Sequence, residues 1–137
     1  MQLDNNFYEI IIEFVQKEFL NTFQDDIVYK GKDVNIDHMG CFQIRYDYLP
    51  LLYKLVFEND RNRFVIDIYN KINAKTTLYR IVKFDSRLTK ENITEAMILL
   101  KKVLEENSMS FYIYQNGKLY EEKSGKYTRI KDINKLR

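Results

Sequence analysis

The residues best suited to chemistry in this 137-residue chain lie close together, at positions 33–41. This segment contains the only histidine and the only cysteine of the chain, His38 and Cys41. A catalytic interpretation makes Cys41 a nucleophile and His38 the base that activates it. A metal-binding interpretation takes Asp33, Asp37 and His38 as ligands. Neither spacing matches a ligand or triad motif, so the sequence favours a solvated loop that enters a strand, with Cys41 as a small buried apolar residue.

Other signatures of catalysis are missing from the sequence. The four glycines are far apart, at positions 31, 40, 117 and 125, so no glycine-rich loop can wrap a phosphate group. Three carboxylates fall at outward positions of predicted strands: Asp47, Glu58 and Asp67. We expect them to pair with basic residues of neighbouring strands, such as Arg45, Lys54 or Arg63. The sequence therefore predicts a protein that is not an enzyme and that uses no cofactor and no metal.

A second group of residues, near the C-terminus, suits binding. Basic residues alternate there with tyrosines, whose rings are favoured at protein interfaces and can also stack on single-stranded nucleic acid. The predicted partner-binding residues are Tyr112, Tyr114, Lys118, Tyr120, Lys123, Lys126, Tyr127 and Arg129. The competing interpretation is that these tyrosines belong to the core.

The charge of the chain is divided unevenly between its two halves. Residues 1–60 contain five Lys and Arg against eleven Asp and Glu, whereas residues 61–137 contain 17 against nine. A basic C-terminal half suits an acidic or nucleic-acid partner. Alternatively, the two halves interdigitate in space and their charges neutralise one another.

The elements that must position these residues follow from the periodicity of apolar residues. Steps of three and four predict a helix over residues 5–23 and a second helix that follows Thr89 as its N-cap and carries an apolar stripe from residue 93 to residue 104. Strands are predicted at residues 27–30, 42–47, 53–58, 64–69 and 78–84, with residues 34–36 as a candidate continuation of the first pairing. A turn is expected at Gly31-Lys32 and a polar hairpin loop at residues 59–62. Asn116-Gly117, between two apolar runs, is typical of a type I′ hairpin, and Ser124-Gly125 marks a further turn.

This order, α-β(4–6)-α-β(2–3), predicts a single α+β domain over residues 1–137. We expect one curved antiparallel sheet of about five to seven strands, packed against two main helices. The last residues, 131–137, are polar and are expected to form a helical end. The element order resembles that of small secretion chaperones and of many small immunity and inhibitor proteins, a resemblance of topology that involves no residue motif.

Compartment and origin also follow from the composition. A single cysteine excludes a disulfide scaffold, and the sequence contains neither a signal peptide nor an apolar run long enough to span a membrane. A cytoplasmic protein with no membrane partner is therefore predicted. The abundance of Lys, Ile, Asn and Tyr indicates AT-rich codons, hence a bacterium with an AT-rich genome or one of its phages or mobile elements.

The sequence thus predicts a non-enzymatic protein-binding module. It would act as an inhibitor, an immunity or anti-defence factor, or a small chaperone, by occluding a partner protein. The alternative is a nucleic-acid-binding protein that uses the basic, tyrosine-rich C-terminal half. Homodimerisation through the sheet is a further option.

Overall fold

Eight strands form one open antiparallel sheet in the computed structural model of this protein, which describes residues 5–131. The order of the strands in the sheet is their order in the chain. They are β1 Ile27–Asn35, β2 Cys41–Tyr48, β3 Tyr53–Asp60, β4 Arg63–Tyr69, β5 Lys75–Thr77, β6 Phe111–Gln115, β7 Lys118–Lys123 and β8 Lys126–Arg129. The predicted α+β fold with an antiparallel sheet is confirmed, although the sheet has eight strands and not five to seven.

Two long helices and one short helix accompany the sheet. They are α1 Asn5–Phe23, α2 Leu78–Ile81 and α3 Lys90–Glu106. The predicted N-cap of α3 is confirmed, because Thr89 Oγ1 accepts a hydrogen bond of 3.1 Å from the backbone N–H of Asn92. No helix in residues 5–131 has the length and apolarity needed to cross a membrane.

The core lies between the two long helices and one face of the sheet. Phe19 of α1 stacks on Tyr46 of β2, with ring centroids 4.2 Å apart, and Phe57 of β3 stacks on Phe64 of β4 at 5.0 Å. Phe19, Phe57 and Phe64 are fully buried, and burial of a side chain of this size contributes about 1.5–3 kcal/mol. The other face of the sheet, which neither α1 nor α3 covers, is called the outer face below.

The turn predicted at Gly31-Lys32 is wrong. Strand β1 continues through these residues to Asn35, and its pairing with β2 shifts register between Tyr29 and Gly31. Gly31 has a φ of 128°, which a residue without a Cβ adopts at little cost, so it forms a β-bulge in the strand and not a turn.

The strand predicted over residues 78–84 is also wrong. Strand β5 ends at Thr77, and the short helix α2 follows directly. Leu78, Ile81 and Val82 have the three-and-four spacing of a helical turn, whereas Leu78, Val82 and Phe84 fit the two-residue period of a strand. Periodicity over so few residues does not separate the two structures.

The predicted hairpins are confirmed. Asn116 and Gly117 have φ angles of 53° and 75°, and Ser124 and Gly125 have φ angles of 53° and 82°, as a type I′ turn requires. The loop at residues 59–62 is tighter than expected, because β3 continues to Asp60 and a two-residue turn remains. The predicted helical end beyond residue 131 lies outside the described residues.

Candidate binding surface on the outer face

No side-chain hydrogen bond joins Cys41 to His38 in the described part of the chain. The thiol of Cys41 donates a hydrogen bond to Asp60, with 3.4 Å between Sγ and Oδ1. Partial burial, followed by this hydrogen bond and the charge of Asp60, raises the pKa of the Cys41 thiol, which disfavours the nucleophilic thiolate. His38 is exposed in the loop between β1 and β2, and its side chain forms no hydrogen bond or ion pair with a described residue. The loop is solvated as expected, whereas Cys41 is only partly buried.

The carboxylates of this segment do not converge either. Asp33 accepts a hydrogen bond of 2.6 Å from Arg45 on β2, and Asp37 is exposed in the loop. Within residues 5–131, no three His, Cys, Asp or Glu side chains are grouped as a metal site would require.

The segment instead has a structural role at Gly40. The ring of Tyr8 packs against this glycine, and the Tyr8 hydroxyl donates a hydrogen bond of 2.7 Å to Asn62 Oδ1. The side chain of Asn59 donates a hydrogen bond of 3.0 Å to the Gly40 carbonyl. Helix α1, the β1–β2 loop and the β3–β4 turn are thereby joined at one corner.

The outer face contains a groove of about 540 Å³ that extends from β3 to β7. Directly opposed residues in an antiparallel sheet share a face, so the register decides which side chains line the groove. Tyr112 lies opposite both Lys75 and Glu121, and Tyr114 lies opposite Leu119. The apolar and aromatic lining comes from Val65, Tyr112, Tyr114 and Leu119. The charged lining comes from Glu58, Asp67, Lys75 and Arg80.

Charged neighbours hold Tyr112 in place within the groove. Its hydroxyl donates a hydrogen bond of 3.1 Å to Glu121, and the guanidinium of Arg80 lies 5.2 Å from the centre of its ring. Burial, and then the hydrogen bond to Glu121, raise the pKa of Tyr112. Beside it, Nζ of Lys75 on β5 lies 3.5 Å from Oδ2 of Asp67 on β4. The groove therefore offers a fixed aromatic ring and charges of both signs.

The eight predicted partner-binding residues are divided between the two faces of the C-terminal strands. The register places Tyr112, Tyr114, Lys123 and Lys126 on the outer face. It places Lys118, Tyr120, Tyr127 and Arg129 on the opposite face. Successive side chains of a strand point to opposite faces, so residues that are close in sequence cannot all join one surface. Every residue of β8 is nevertheless exposed.

Eight of the ten residues that line the groove are absent from the predicted set, among them Val65, Lys75, Arg80 and Leu119. Leu119 could have been found, because it lies in the same hairpin as Tyr114 and directly opposite it. Val65 is 40% exposed although it is apolar, a property that the sequence does not reveal. The sequence predicts a strand at Arg80, whereas its position over Tyr112 depends on helix α2.

The two halves of the chain do not interdigitate in the sheet. Because strand order equals chain order, the acidic first half supplies β1–β3 and the basic second half supplies β4–β8. Apart from the adjacent Asp60 and Arg61, the ion pairs of residues 5–131 join residues of the same half. The uneven distribution of charge along the sequence is therefore kept as an uneven distribution across the sheet, from β1 to β8.

Ion pairing also differs between the two ends of the sheet. Asp47 pairs with Lys30, and Asp67 pairs with Lys75, so the partners expected from the sequence, Arg45, Lys54 and Arg63, are wrong for these two carboxylates.

In contrast, five basic residues at the β7–β8 end form no ion pair within the described part of the chain. They are Lys118, Lys123, Lys126, Arg129 and Lys131.

Comparison with protein-family models, with curated proteins and with solved structures gives no significant match.

Proposed function

We propose that this protein is a non-enzymatic binding module that recognises a partner protein through the outer face of its sheet. The groove on that face is the observation on which the proposal depends. It combines tyrosines and apolar side chains with charges of both signs, and this mixture is typical of surfaces that bind proteins. By covering a partner's surface, the module would act as an inhibitor, an immunity or anti-defence factor, or a small chaperone in a bacterial or phage setting.

Tyr112 and Tyr114 are the expected anchors of the interface. Tyr114 is 67% exposed, so its ring has most of its surface left to bury against a partner. Tyr112 is already held by Arg80 and Glu121, so binding costs it little conformational entropy. Buried tyrosine anchors contribute a large share of the binding energy in many protein interfaces.

A second candidate function is nucleic-acid binding at the β7–β8 end. Its support is the group of basic residues that form no ion pair with described residues, together with Tyr127, which is 50% exposed. The carboxylates of Glu58, Asp67 and Glu121 on the outer face disfavour it, because they repel a phosphate backbone. We therefore favour a protein partner.

Site-specific photocrosslinking in cells that naturally contain the protein tests the proposal. A benzophenone amino acid replaces Tyr114 on the outer face in one variant. In the control variant it replaces Ile98, which is 65% exposed on α3. We expect one protein species to be crosslinked from position 114 and not from position 98.

Two results would contradict a protein partner at this face. One is crosslinking of nucleic acid and no protein from position 114, which supports the second candidate. The other is an identical set of weak protein crosslinks from both positions, which indicates random encounters.

A further inference from the structure

Two lysines face each other across the last hairpin of the sheet. Lys123 and Lys126 are directly opposite in the pairing of β7 with β8, so their side chains share the outer face. Both are exposed, and neither forms an ion pair with a described residue. Like charges at directly opposed positions destabilise a sheet. The pair therefore imposes a cost on the free protein that a bound anion would remove.

Arg80 adds a third positive charge at the same end of the outer face. Strands β5 and β6 are antiparallel and pair at Lys75 and Tyr112, so the chain after Lys75 runs toward the start of β6. Helix α2, which contains Arg80, begins at that end of the sheet. In the pairing of Tyr112 with Glu121, Lys123 extends toward the start of β6 as well. Arg80 lies over the ring of Tyr112 and forms no ion pair within residues 5–131.

We propose that Arg80, Lys123 and Lys126 form an anion-binding row that takes the carboxylates of an acidic, extended segment of the partner protein. This inference rests on the proposed function, since it names the chemistry of the partner at the same face. The row adjoins the groove at Arg80, which lines the groove and lies over the ring of Tyr112.

The spacing of the row fits an extended peptide. Arg80 lies over Tyr112 of β6 and neighbouring strands are about 4.8 Å apart, so the two steps from β6 to β8 cover about 10 Å. An extended chain rises about 3.3 Å per residue, so a segment of about four residues with acidic side chains matches this distance.

The surroundings of the row favour carboxylates on a peptide over a phosphate polymer. Glu121 lies on the outer face two residues before Lys123, and Asp67 lines the adjoining groove. A continuous phosphate backbone would pass these negative groups. A peptide can place uncharged residues beside them and its carboxylates beside the three cations.

A fluorescein-labelled decapeptide in which Glu alternates with Ser is the probe for this inference. Fluorescence anisotropy at low salt measures its binding to the full chain. The same peptide with Gln in place of Glu and a single-stranded oligonucleotide of ten bases are compared with it. We expect the Glu peptide to bind at least roughly tenfold more tightly than either comparison ligand, since opposite charges attract strongly at low ionic strength.

Three variants locate the binding to the row. We expect the double substitution Lys123→Gln and Lys126→Gln to weaken binding of the Glu peptide about tenfold, and Arg80→Gln to weaken it several-fold, because each removes an attractive charge. The matched control is Lys101→Gln with Lys102→Gln, the same change of charge on the exposed side of α3, for which we expect less than about a twofold change. Thermal unfolding of each variant, monitored by circular dichroism, verifies that the fold is retained.

Equal weakening by the two double variants would overturn the inference, because the binding would then depend on net charge alone. Tighter binding of the oligonucleotide than of the Glu peptide would overturn it as well. The proposed function is judged separately by the crosslink from position 114. If that protein crosslink persists at full yield in the Lys123→Gln, Lys126→Gln variant, the partner is bound without the row and only the present inference is wrong.

Discussion

Gly40 is the last residue of the β1–β2 loop, which contains His38, and the space beside it has no room for a side chain. Its φ is 69°, and a Cβ at this position would overlap the Cζ and Oη atoms of Tyr8. Gly117 has a similar φ of 75°, but a Cβ there would meet no atom within 4 Å. The two glycines therefore share a backbone conformation and differ in packing.

Gly40→Ala should consequently destabilise the protein more than Gly117→Ala. The left-handed conformation costs about 1–2 kcal/mol at either position, and overlap with Tyr8 brings the loss at Gly40 to about 3 kcal/mol or more. Urea unfolding of both variants measures the difference. Equal losses would mean that Tyr8 moves aside freely and that the corner at Gly40 is not tightly packed.

Cys41 should react slowly with thiol reagents although it is partly exposed. Asp60 and partial burial raise the pKa of its thiol, and only the thiolate is alkylated at an appreciable rate. Asp60→Asn removes the negative charge and should lower this pKa, so the alkylation rate at a pH of about 8 should rise several-fold. The rate of iodoacetamide alkylation is measured against pH for the wild type and for the Asp60→Asn variant. Identical pH profiles would show that Asp60 does not control the pKa of the Cys41 thiol.

At the scale of elements, the join between β5 and β6 is the weakest in the sheet. These strands pair through a single residue pair, Lys75 with Tyr112, whereas β2, β3 and β4 pair along their length. Two further contacts help to hold the three C-terminal strands. Phe111 packs edge-on against Tyr53 at 5.1 Å, and Asn70 donates a hydrogen bond of 3.2 Å to Glu122.

Backbone amides of β6–β8 should therefore exchange with solvent faster than those of β2–β4, because local opening of the weakly joined strands exposes them. Asn70→Ala should widen the difference. It removes the hydrogen bond to Glu122 and those that Asn70 Oδ1 accepts from Ile72 and Ala74, at a cost of about 1–3 kcal/mol. Hydrogen exchange with mass spectrometry measures this, and uniform protection across the sheet would contradict it.

The lysine pair on β7 and β8 allows a test of stability that is independent of any partner. Lys126→Glu puts a carboxylate opposite Lys123 and should stabilise the free protein by about 0.2–1 kcal/mol. Lys118→Glu makes the same change of charge opposite Gln115, where no lysine faces it, and should have a smaller effect. If binding requires the lysine pair, Lys126→Glu should also weaken binding of the Glu peptide while it raises the Tm.

At the scale of the whole molecule, buried and half-buried tyrosines are expected to contribute to the response to alkaline pH. Burial is the largest of the effects that raise the pKa of Tyr46, Tyr48, Tyr53 and Tyr112. In the unfolded chain a tyrosine loses its proton at a pH of about 10. Since the folded state keeps these protons to a higher pH, their contribution to stability is complete below about pH 10 and is lost as the pH rises further.

The free energy of unfolding should thus fall steeply above a pH of about 10. Tyr46→Phe should make this fall shallower, since Tyr46 is 4% exposed and stacks on Phe19. Urea unfolding at a series of pH values, with the ionisation followed by absorbance near 295 nm, measures both effects. The matched control is Tyr114→Phe, at the exposed end of the groove. A fall of equal steepness in the wild type and in the Tyr46→Phe variant would show that this phenol does not contribute.

Much of the architecture could be predicted because local patterns determine local structure. The three-and-four spacing of Phe7 to Phe23 and the Thr89 cap specify α1 and the start of α3. The dipeptides Asn116-Gly117 and Ser124-Gly125 specify their turns, because few other residues adopt two successive positive φ angles. The errors fell where one short pattern suits two structures, as at Gly31 and at residues 78–84.

The candidate site could be predicted only in part. The sequence by itself determined the type of fold, the tyrosine-rich hairpin and the uneven charge, since these depend on residues that are close along the chain. Only the tertiary structure decided which of those residues share a surface. Strand register placed Tyr112, Tyr114, Lys123 and Lys126 on the outer face and separated them from Lys118, Tyr120, Tyr127 and Arg129. It also brought Lys75 beside Tyr112, 37 positions along the chain, because the pairing of strands depends on the packing of the whole sheet.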